Sequence, residues 1–196
     1  MRKPNEALAQ QRKTQIVEAA ISCFLKSGFH NTGMKEICAA AQMSPGALYR
    51  YFDSKDAIIA AIVAHEQQEL DDALAYLSSA KNFNKALLSL VAEMIEVSCQ
   101  RADNILATEI FAESTRNKDV AAILRKTEST FLAGMTSLLK SAQKEKRIQL
   151  KLTAEETART ILSLVYGAST LALLDTESAT SKHTKLARNV LKQLID

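Results

Sequence analysis

The sequence lacks tryptophan and contains few residues that end helices or cross-link chains. Among 196 residues there are 5 glycines, 2 prolines and 3 cysteines, and aromatic side chains make up only 5%. Few helix breakers, together with many Ala, Leu, Lys and Glu residues, favour an all-α protein. The cysteines show no C-x-x-C spacing. We therefore expect small buried thiols in a reducing compartment, and neither a disulfide framework nor a metal site.

Long apolar runs are also missing. No stretch approaches the roughly 18 uncharged apolar residues of a membrane helix, and the N-terminus, MRKPNEALAQQRK, has no apolar segment typical of a secretory signal. We therefore expect a cytoplasmic protein with no membrane partner.

Signatures of catalysis are absent as well. We find no nucleophile motif and no phosphate-cradling glycine loop, so the sequence predicts no enzyme and no cofactor. The run HEQQE at 65–69 begins like a zinc motif, but Glu69 replaces the second histidine. With only 3 histidines in the chain, a full ligand set is not expected, and we predict no metal.

The net charge of +3 is unevenly distributed. Residues 1–55 hold 8 Lys or Arg against 4 Asp or Glu, a net charge of +4, whereas residues 56–196 hold 17 against 18, a net charge of −1. A positive N-terminal segment suits a phosphate-binding surface. The alternative is an ordinary solvated face, which charge alone does not exclude.

One stretch, TGMKEICAAAQMSPGALYRYFDSK at 32–55, predicts two short helices around a tight turn and the start of a third. Thr32 is a candidate N-cap for the first helix, whose apolar residues share one face. Ser44 followed by Pro45 is a strong start for the second, because the serine oxygen accepts from an unpaired N–H and proline loses nothing there. The pattern predicts a helix-turn-helix whose second helix, about residues 45–52, can enter a DNA major groove.

Hydrophobic periodicity predicts about nine helices along the chain. They cover about residues 9–27, 33–41, 45–52, 54–79, 84–101, 105–113, 118–146, 153–174 and 181–195. In the first, Ile16, Ala20 and Phe24 can pack against Ile37, Leu48 and Phe52, which gives a three-helix core. The predicted fold is all-α, with an N-terminal three-helix helix-turn-helix domain and a C-terminal helical bundle.

The run SPGALYRYFDSK, preceded by TGMKEI, closely resembles the DNA-binding domain of the TetR family of bacterial repressors over roughly residues 13–62. Members usually carry glycine in the turn where this chain has Gln42, and a positive φ at a non-glycine residue costs about 1 kcal/mol. The resemblance implies a homodimer with a DNA-binding domain at 1–55, a linking helix from about residue 54, and a ligand-binding and dimerisation domain at 56–196.

The resemblance also implies two kinds of DNA contact. Phosphate contacts are implied for Tyr49, Tyr51 and Lys55, while Thr32 and Gly33 lie beside the DNA backbone. Gly33 lacks the hydroxyl that many relatives carry there. Base readout is implied for Lys35, Ser44, Pro45, Gly46, Ala47 and Arg50. The long donors Lys35 and Arg50 can meet guanine O6 and N7. Two alternatives stay open: Tyr51 can be a packing residue, and Arg50 can contact phosphate instead of a base.

For the C-terminal region the resemblance implies a small-molecule sensor. The candidate lining residues are His65, Met94, Thr108, Phe111, Phe131, Met135 and Tyr166, and most of them lie on apolar faces where plain core is the alternative role. The last two helices carry more apolar surface than one protomer of this size buries easily, and the resemblance implies that they form a dimer interface. The interface candidates are Leu162, Val165, Leu173, Leu186, Val190 and Leu194.

The leading interpretation is a TetR-like transcriptional repressor that binds a palindromic operator in double-stranded DNA and is released by a small-molecule ligand. Two alternatives remain open at the level of sequence. One is a non-regulatory helical ligand-binding protein with an incidental helix-turn-helix. The other is an architectural DNA-binding protein without a ligand.

Overall fold

The computed structural model describes residues 6–174 and 179–195, and these residues form nine helices and one isolated β-bridge. The helices are α1 (Glu6–Ser27), α2 (Met34–Ala40), α3 (Pro45–Leu48), α4 (Lys55–Ser79), α5 (Phe83–Ser98), α6 (Arg101–Ser114), α7 (Lys118–Lys144), α8 (Ala154–Ala172) and α9 (Ala179–Leu194). The predicted all-α class is confirmed, and the helix boundaries differ from prediction by a few residues. Within the described ranges, none of these helices combines the length and apolar character needed to cross a lipid bilayer.

The chain forms two compact units. The helix-turn-helix unit contains residues 1–65 and 106–124, and the bundle unit contains residues 66–105 and 125–196. Helices α4, α6 and α7 each contribute residues to both units. The assignment of DNA binding to residues 1–55, and of ligand binding and dimerisation to 56–196, concerns function and stays a prediction.

The helix-turn-helix unit has the predicted three-helix core. Ile16, Ala20 and Phe24 on α1 are at most 1% exposed and share a hydrophobic cluster with Leu48 and Phe52. Burying each large apolar side chain contributes about 1.5–3 kcal/mol, so this cluster holds the short helices in place. The same cluster includes residues of α4, α6 and α7, namely Ile58, Ile59, Ile62, Val63, Leu106, Ile110 and Val120. The participation of residues 106–124 was not predicted.

The turn after α2 has the geometry of a Schellman C-cap centred on Gln42. The Gln42 N–H donates to the Ala39 carbonyl at 3.1 Å, and the Met43 N–H donates to the Cys38 carbonyl at 3.0 Å. This arrangement requires a left-handed residue, and Gln42 has a φ of 53°. Gln42 therefore adopts a positive φ at the position where members of the resembled family usually carry glycine.

The start of α2 differs from prediction, because Gly33 and not Thr32 is the N-cap. The Glu36 carboxylate accepts from the Gly33 N–H at 2.9 Å, and a Cβ at Gly33 would lie only 2.6 Å from that carboxylate. The Thr32 hydroxyl donates instead to the Gly28 carbonyl at 2.9 Å. Thr32 therefore lies one position before the N-cap, and its hydroxyl stabilises the connection before α2.

The bundle unit is built around α5, which packs against both α8 and α9. Its apolar stripe, including Leu87, Val91 and Ile95, is fully buried, as expected for a central helix. Thr153 and Glu156 form the predicted capping box at the start of α8: the Glu156 N–H donates to the Thr153 hydroxyl, and the Thr153 N–H donates to the Glu156 carboxylate. The sequence pattern thus placed the main elements of this unit correctly.

Replacing Gln42 with glycine should stabilise the protein. A left-handed conformation costs an L-residue about 1–2 kcal/mol, and part of this gain is offset by the greater freedom of glycine in the unfolded chain, leaving a net gain of about 0.5 kcal/mol. Urea unfolding of Gln42→Gly against the wild type measures the difference. Gln42→Val should destabilise the protein, because a branched side chain tolerates a positive φ poorly.

A matched control lies in the bundle unit. Lys146 has a φ of 58° in the same position after α7, so Lys146→Gly should give a similar gain in stability. A Gln42→Gly protein that is less stable than the wild type, beside a stabilised Lys146→Gly, would contradict the assignment of strain to the turn.

Candidate nucleic-acid interface

Helix α3 is short and is held from its inner side. The Ser44 hydroxyl caps it by accepting from the Ala47 N–H at 3.3 Å, and Pro45 occupies the first helical position. Regular α-helix ends at Leu48, after which the Tyr51 and Phe52 N–H groups both donate to the Leu48 carbonyl. The predicted helix at 45–52 is therefore one α-helical turn followed by a tighter turn.

Leu48 and Phe52 face the core and are 0% and 7% exposed, whereas most of the other side chains at residues 44–50 face solvent. This surface consists of the small residues 44–47, followed by the long side chains of Tyr49 and Arg50. Ser44, Pro45, Gly46, Tyr49 and Arg50 are exposed, and Ala47 is half-buried. A side chain added at Gly46 would meet no atom within 4 Å. Among the described residues, no side chain therefore covers the helix surface at Gly46.

Lys35 and Arg50 are the exposed cations of α2 and the α3 turn. Among the residues that the structure describes, neither one forms an ion pair with a carboxylate. Both are therefore available for bases or phosphates. The choice between base and phosphate for Arg50 stays open, since the geometry permits either.

The Lys55 ammonium group already forms a hydrogen bond within the protein. Its Nζ donates to the Phe29 carbonyl at 2.8 Å and lies 4.3 Å from the centroid of the Phe29 ring. Partial burial lowers the pKa of Lys55, while the carboxylates of Glu113, Asp56 and Glu36 act in the opposite direction. Because an ammonium group has three donors, Lys55 can hold Phe29 and still offer hydrogen bonds to a phosphate.

The other backbone-contact candidates differ in exposure. Thr32 is only 2% exposed, and its hydroxyl is engaged with the preceding connection. Tyr51 is half-buried against the core, which favours the packing alternative, whereas Tyr49 is 53% exposed. The Gly33 N–H already donates to Glu36. Phosphate contact by these residues stays a prediction, and Tyr49 is the one most open to it.

The seven ligand candidates are divided between the two units, and their role in ligand binding stays a prediction. Phe131 and Met135 lie in the packed core of the bundle unit, and Met94 is half-buried against that core. Tyr166, in the same unit, is 53% exposed, and desolvation followed by the nearby Glu128 and Glu66 carboxylates raises the pKa of its phenol. The remaining three belong to the helix-turn-helix unit: His65, Thr108 and Phe111.

A contact that the sequence pattern did not indicate comes from α6. The Glu109 carboxylate accepts from the Phe29 N–H at 2.9 Å, in the connection between α1 and α2. The two residues are 80 positions apart. No local spacing rule could have paired them, so only the folded chain reveals this contact.

Comparison with known proteins agrees with this geometry. Residues 16–62 match the family described as bacterial regulatory proteins, tetR family, and residues 84–196 match the C-terminal family described as BetI-type transcriptional repressor. The transcriptional regulator UidR of Escherichia coli K12 is 34% identical over 160 residues, which covers 81% of this chain and 80% of that protein. TtgR of Pseudomonas putida is 28% identical over 170 residues, covering 81% and 79%.

Solved structures show the same fold. Salmonella enterica GusR superposes with a TM-score of 0.75 at 28% identity and covers 98% of both chains. The SmeT–triclosan complex superposes with a TM-score of 0.76 at 20% identity and covers 92% of this chain and 90% of that one. Since the BetI-type match alone spans more than half of the sequence, the chain belongs to the TetR family of bacterial helix-turn-helix transcriptional regulators.

Proposed function

We propose that the protein is a homodimeric repressor that binds a palindromic operator and leaves it when a small molecule binds in the bundle unit. The observation that carries the DNA-binding part is the exposed surface at residues 44–50, where the small residues 44–47 precede the long side chains of Tyr49 and Arg50. Support for a small-molecule effector comes from SmeT, a protein of the same fold that has been solved as a complex with triclosan. The operator of a bacterial regulator lies on the chromosome, so this proposal places the protein in the cytoplasm.

In this proposal α3 enters the major groove. The small residues 44–47 allow the helix to sit close to the base edges, where they touch thymine methyl groups. Arg50 and Lys35 supply the long donors that distinguish guanine from other bases. Tyr49 and the remaining donors of Lys55 bind phosphates and set the register on the duplex.

The dimer interface is proposed to form from α8 and α9. Leu186 on α9 is 59% exposed in the protomer, Leu171 in the last turn of α8 is 51% exposed, and Leu174, just after α8, is 84% exposed. These leucines supplement the predicted residues Leu162, Leu173, Val190 and Leu194, which are half-buried; Val165 is already buried within the protomer. Two such helix pairs would form a four-helix bundle that covers apolar surface otherwise left in water.

Release from DNA requires that the effector binds one conformation better than another, because a ligand shifts an equilibrium only by its differential affinity. Helix α4 is the proposed lever, since it begins beside the DNA-binding helices and continues into the bundle unit. The domain assignment is therefore functional: residues 1–55 read DNA, and residues 56–196 bind the effector and the second protomer.

The roles of Arg50 and Lys55 can be separated by binding measurements. We expect Arg50→Ala to reduce the preference for operator over random DNA by about 1–3 kcal/mol, as for loss of a base contact. Lys55→Ala should weaken binding to both DNAs similarly and lower the salt slope by about 1. Fluorescence anisotropy with a DNA fragment selected by the wild-type protein from a random pool, titrated at several salt concentrations, measures both effects.

Lys140→Ala is the matched control, since Lys140 is an exposed lysine of α7 in the bundle unit. Identical behaviour of Arg50→Ala and Lys55→Ala would show that the assigned roles are wrong. A wild-type protein that binds selected and random DNA equally would favour the architectural alternative. Absence of any salt-dependent binding would favour the non-regulatory ligand-binding alternative.

The dimer proposal predicts that Leu186→Glu yields monomers. The exposed leucine contributes little to the protomer, so a charge there should leave the fold intact but bury an unpaired carboxylate in the interface. Sedimentation velocity measures the change. Leu152→Glu, which places the same charge on an exposed leucine outside α8 and α9, should remain dimeric; dimers of Leu186→Glu would contradict the proposed interface.

The effector proposal predicts that at least one small molecule both raises the melting temperature and weakens operator binding. A ligand at a hundredfold excess over its Kd stabilises the folded state by about 2.7 kcal/mol. A thermal-shift screen followed by anisotropy on the hits tests this. Hits that stabilise the protein but never change operator affinity would argue against release by a ligand.

A further inference from the structure

We propose that Glu109, on α6, is a positioning residue for DNA binding. Its carboxylate holds the connection between α1 and α2 and thereby sets where α2 begins. This inference rests on the proposed binding of an operator by the helix-turn-helix unit. It assigns a role in that binding to a residue outside α1–α3.

The connection turns sharply at its first residue. Gly28 has a φ of 76° and follows the last turn of α1, and its N–H donates to the Phe24 carbonyl at 2.8 Å. A Cβ at Gly28 would lie 3.1 Å from the nearer Glu109 carboxylate oxygen, Oε2. Glycine is favoured at position 28 for two reasons. It adopts a positive φ without steric cost, and it has no Cβ that would crowd the Glu109 carboxylate.

Phe29 is the residue that is held from two sides. It is 2% exposed; its N–H donates to Glu109 Oε2 at 2.9 Å, and its carbonyl accepts from Lys55 Nζ at 2.8 Å. Its ring packs against Phe24 with centroids 5.0 Å apart. The N–H and the carbonyl of this buried residue are thus each paired with a charged side chain: the N–H with Glu109 of α6, and the carbonyl with Lys55 of α4. Hydrogen bonds to charged groups are stronger than neutral ones.

This connection leads directly into the DNA-binding helices. The Thr32 hydroxyl donates to the Gly28 carbonyl, Gly33 caps α2, and the Gln42 turn then passes into α3. A shift at Phe29 is therefore carried to both α2 and α3. Glu109 is flanked on α6 by Leu106 and Ile110, which are buried in the same core, so its own position is well defined. A carboxylate repels phosphates, and so its contribution to DNA binding must be indirect.

Two variants at position 109 distinguish the role of the hydrogen-bond acceptor from that of the negative charge. Glu109→Ala removes both, whereas Glu109→Gln removes only the charge. Glu109→Ala leaves the buried Phe29 N–H without its acceptor, and we expect operator affinity to fall about tenfold. Glu109→Gln keeps a side-chain carbonyl oxygen in place and should recover most of this loss. Because neither change removes a phosphate contact, the slope of log affinity against log salt should equal that of the wild type. Affinity is measured by anisotropy on the selected DNA fragment.

A matched control distinguishes positioning from general loss of stability. Ile110→Val trims the same core by one methylene and leaves the Glu109 carboxylate intact. We expect it to lower the melting temperature of the protein without the loss of affinity seen for Glu109→Ala. Amide hydrogen exchange provides a local readout: exchange at Phe29 should become faster in Glu109→Ala and remain near the wild-type rate in Glu109→Gln.

The possible failures are distinguishable. If the wild type binds the selected DNA and Glu109→Ala binds it equally well, this inference is wrong and the proposed function stands. An equal loss of affinity in Ile110→Val and Glu109→Ala would also overturn the inference, and so would a reduced salt slope in Glu109→Ala.

If Glu109→Ala does not fold, the test rests on Glu109→Gln. Wild-type affinity and a wild-type exchange rate at Phe29 in that variant support the inference, and a tenfold loss of affinity in that variant overturns the inference. A wild type without salt-dependent DNA binding would instead overturn the proposed function.

Discussion

Burial of Leu48 and Phe52 against α1 is the constraint on which the DNA-binding surface depends. Helix α3 comprises only Pro45–Leu48, and a helix of this length has no stability of its own in water, because the cost of nucleation exceeds the gain from one turn of hydrogen bonds. Tertiary contacts must therefore hold it. The same contacts decide which residues face outward, since a side chain that is not anchored in the core points to solvent, as Arg50 does.

Around this core, polar side chains secure the segments that have no regular structure. Phe29 is paired through both of its peptide groups, and Asn117 reaches from the start of α7 to the Asp56 carboxylate of α4 at 3.2 Å. A buried peptide group left without a partner would cost about 1–3 kcal/mol. Lys55 combines two roles. One of its hydrogen bonds, to the Phe29 carbonyl, stabilises the fold, and its other N–H donors are open to an anion.

Local patterns predicted most of the helices because the relevant interactions are short in sequence. The Ser44 cap, the Thr153–Glu156 capping box and the left-handed residue at Gln42 all involve partners within five positions. The prediction for Thr32 was wrong because α2 begins one residue later than expected, with Gly33 as its N-cap. Most of the ligand candidates were chosen because they lie on apolar helix faces, and that property does not distinguish the buried core residue Phe131 from the 65% exposed Phe111.

The sequence by itself determined the fold class, the helix-turn-helix and the family resemblance, because periodicity, caps and the LYRYFDSK run are local properties of the chain. Tertiary structure alone decided that residues 106–124 complete the helix-turn-helix unit, that Lys55 is shared between Phe29 and solvent, and that Glu109 reaches the α1–α2 connection. These contacts join residues 26 and 80 positions apart. Their pairing follows from how the helices pack, and no local pattern encodes it.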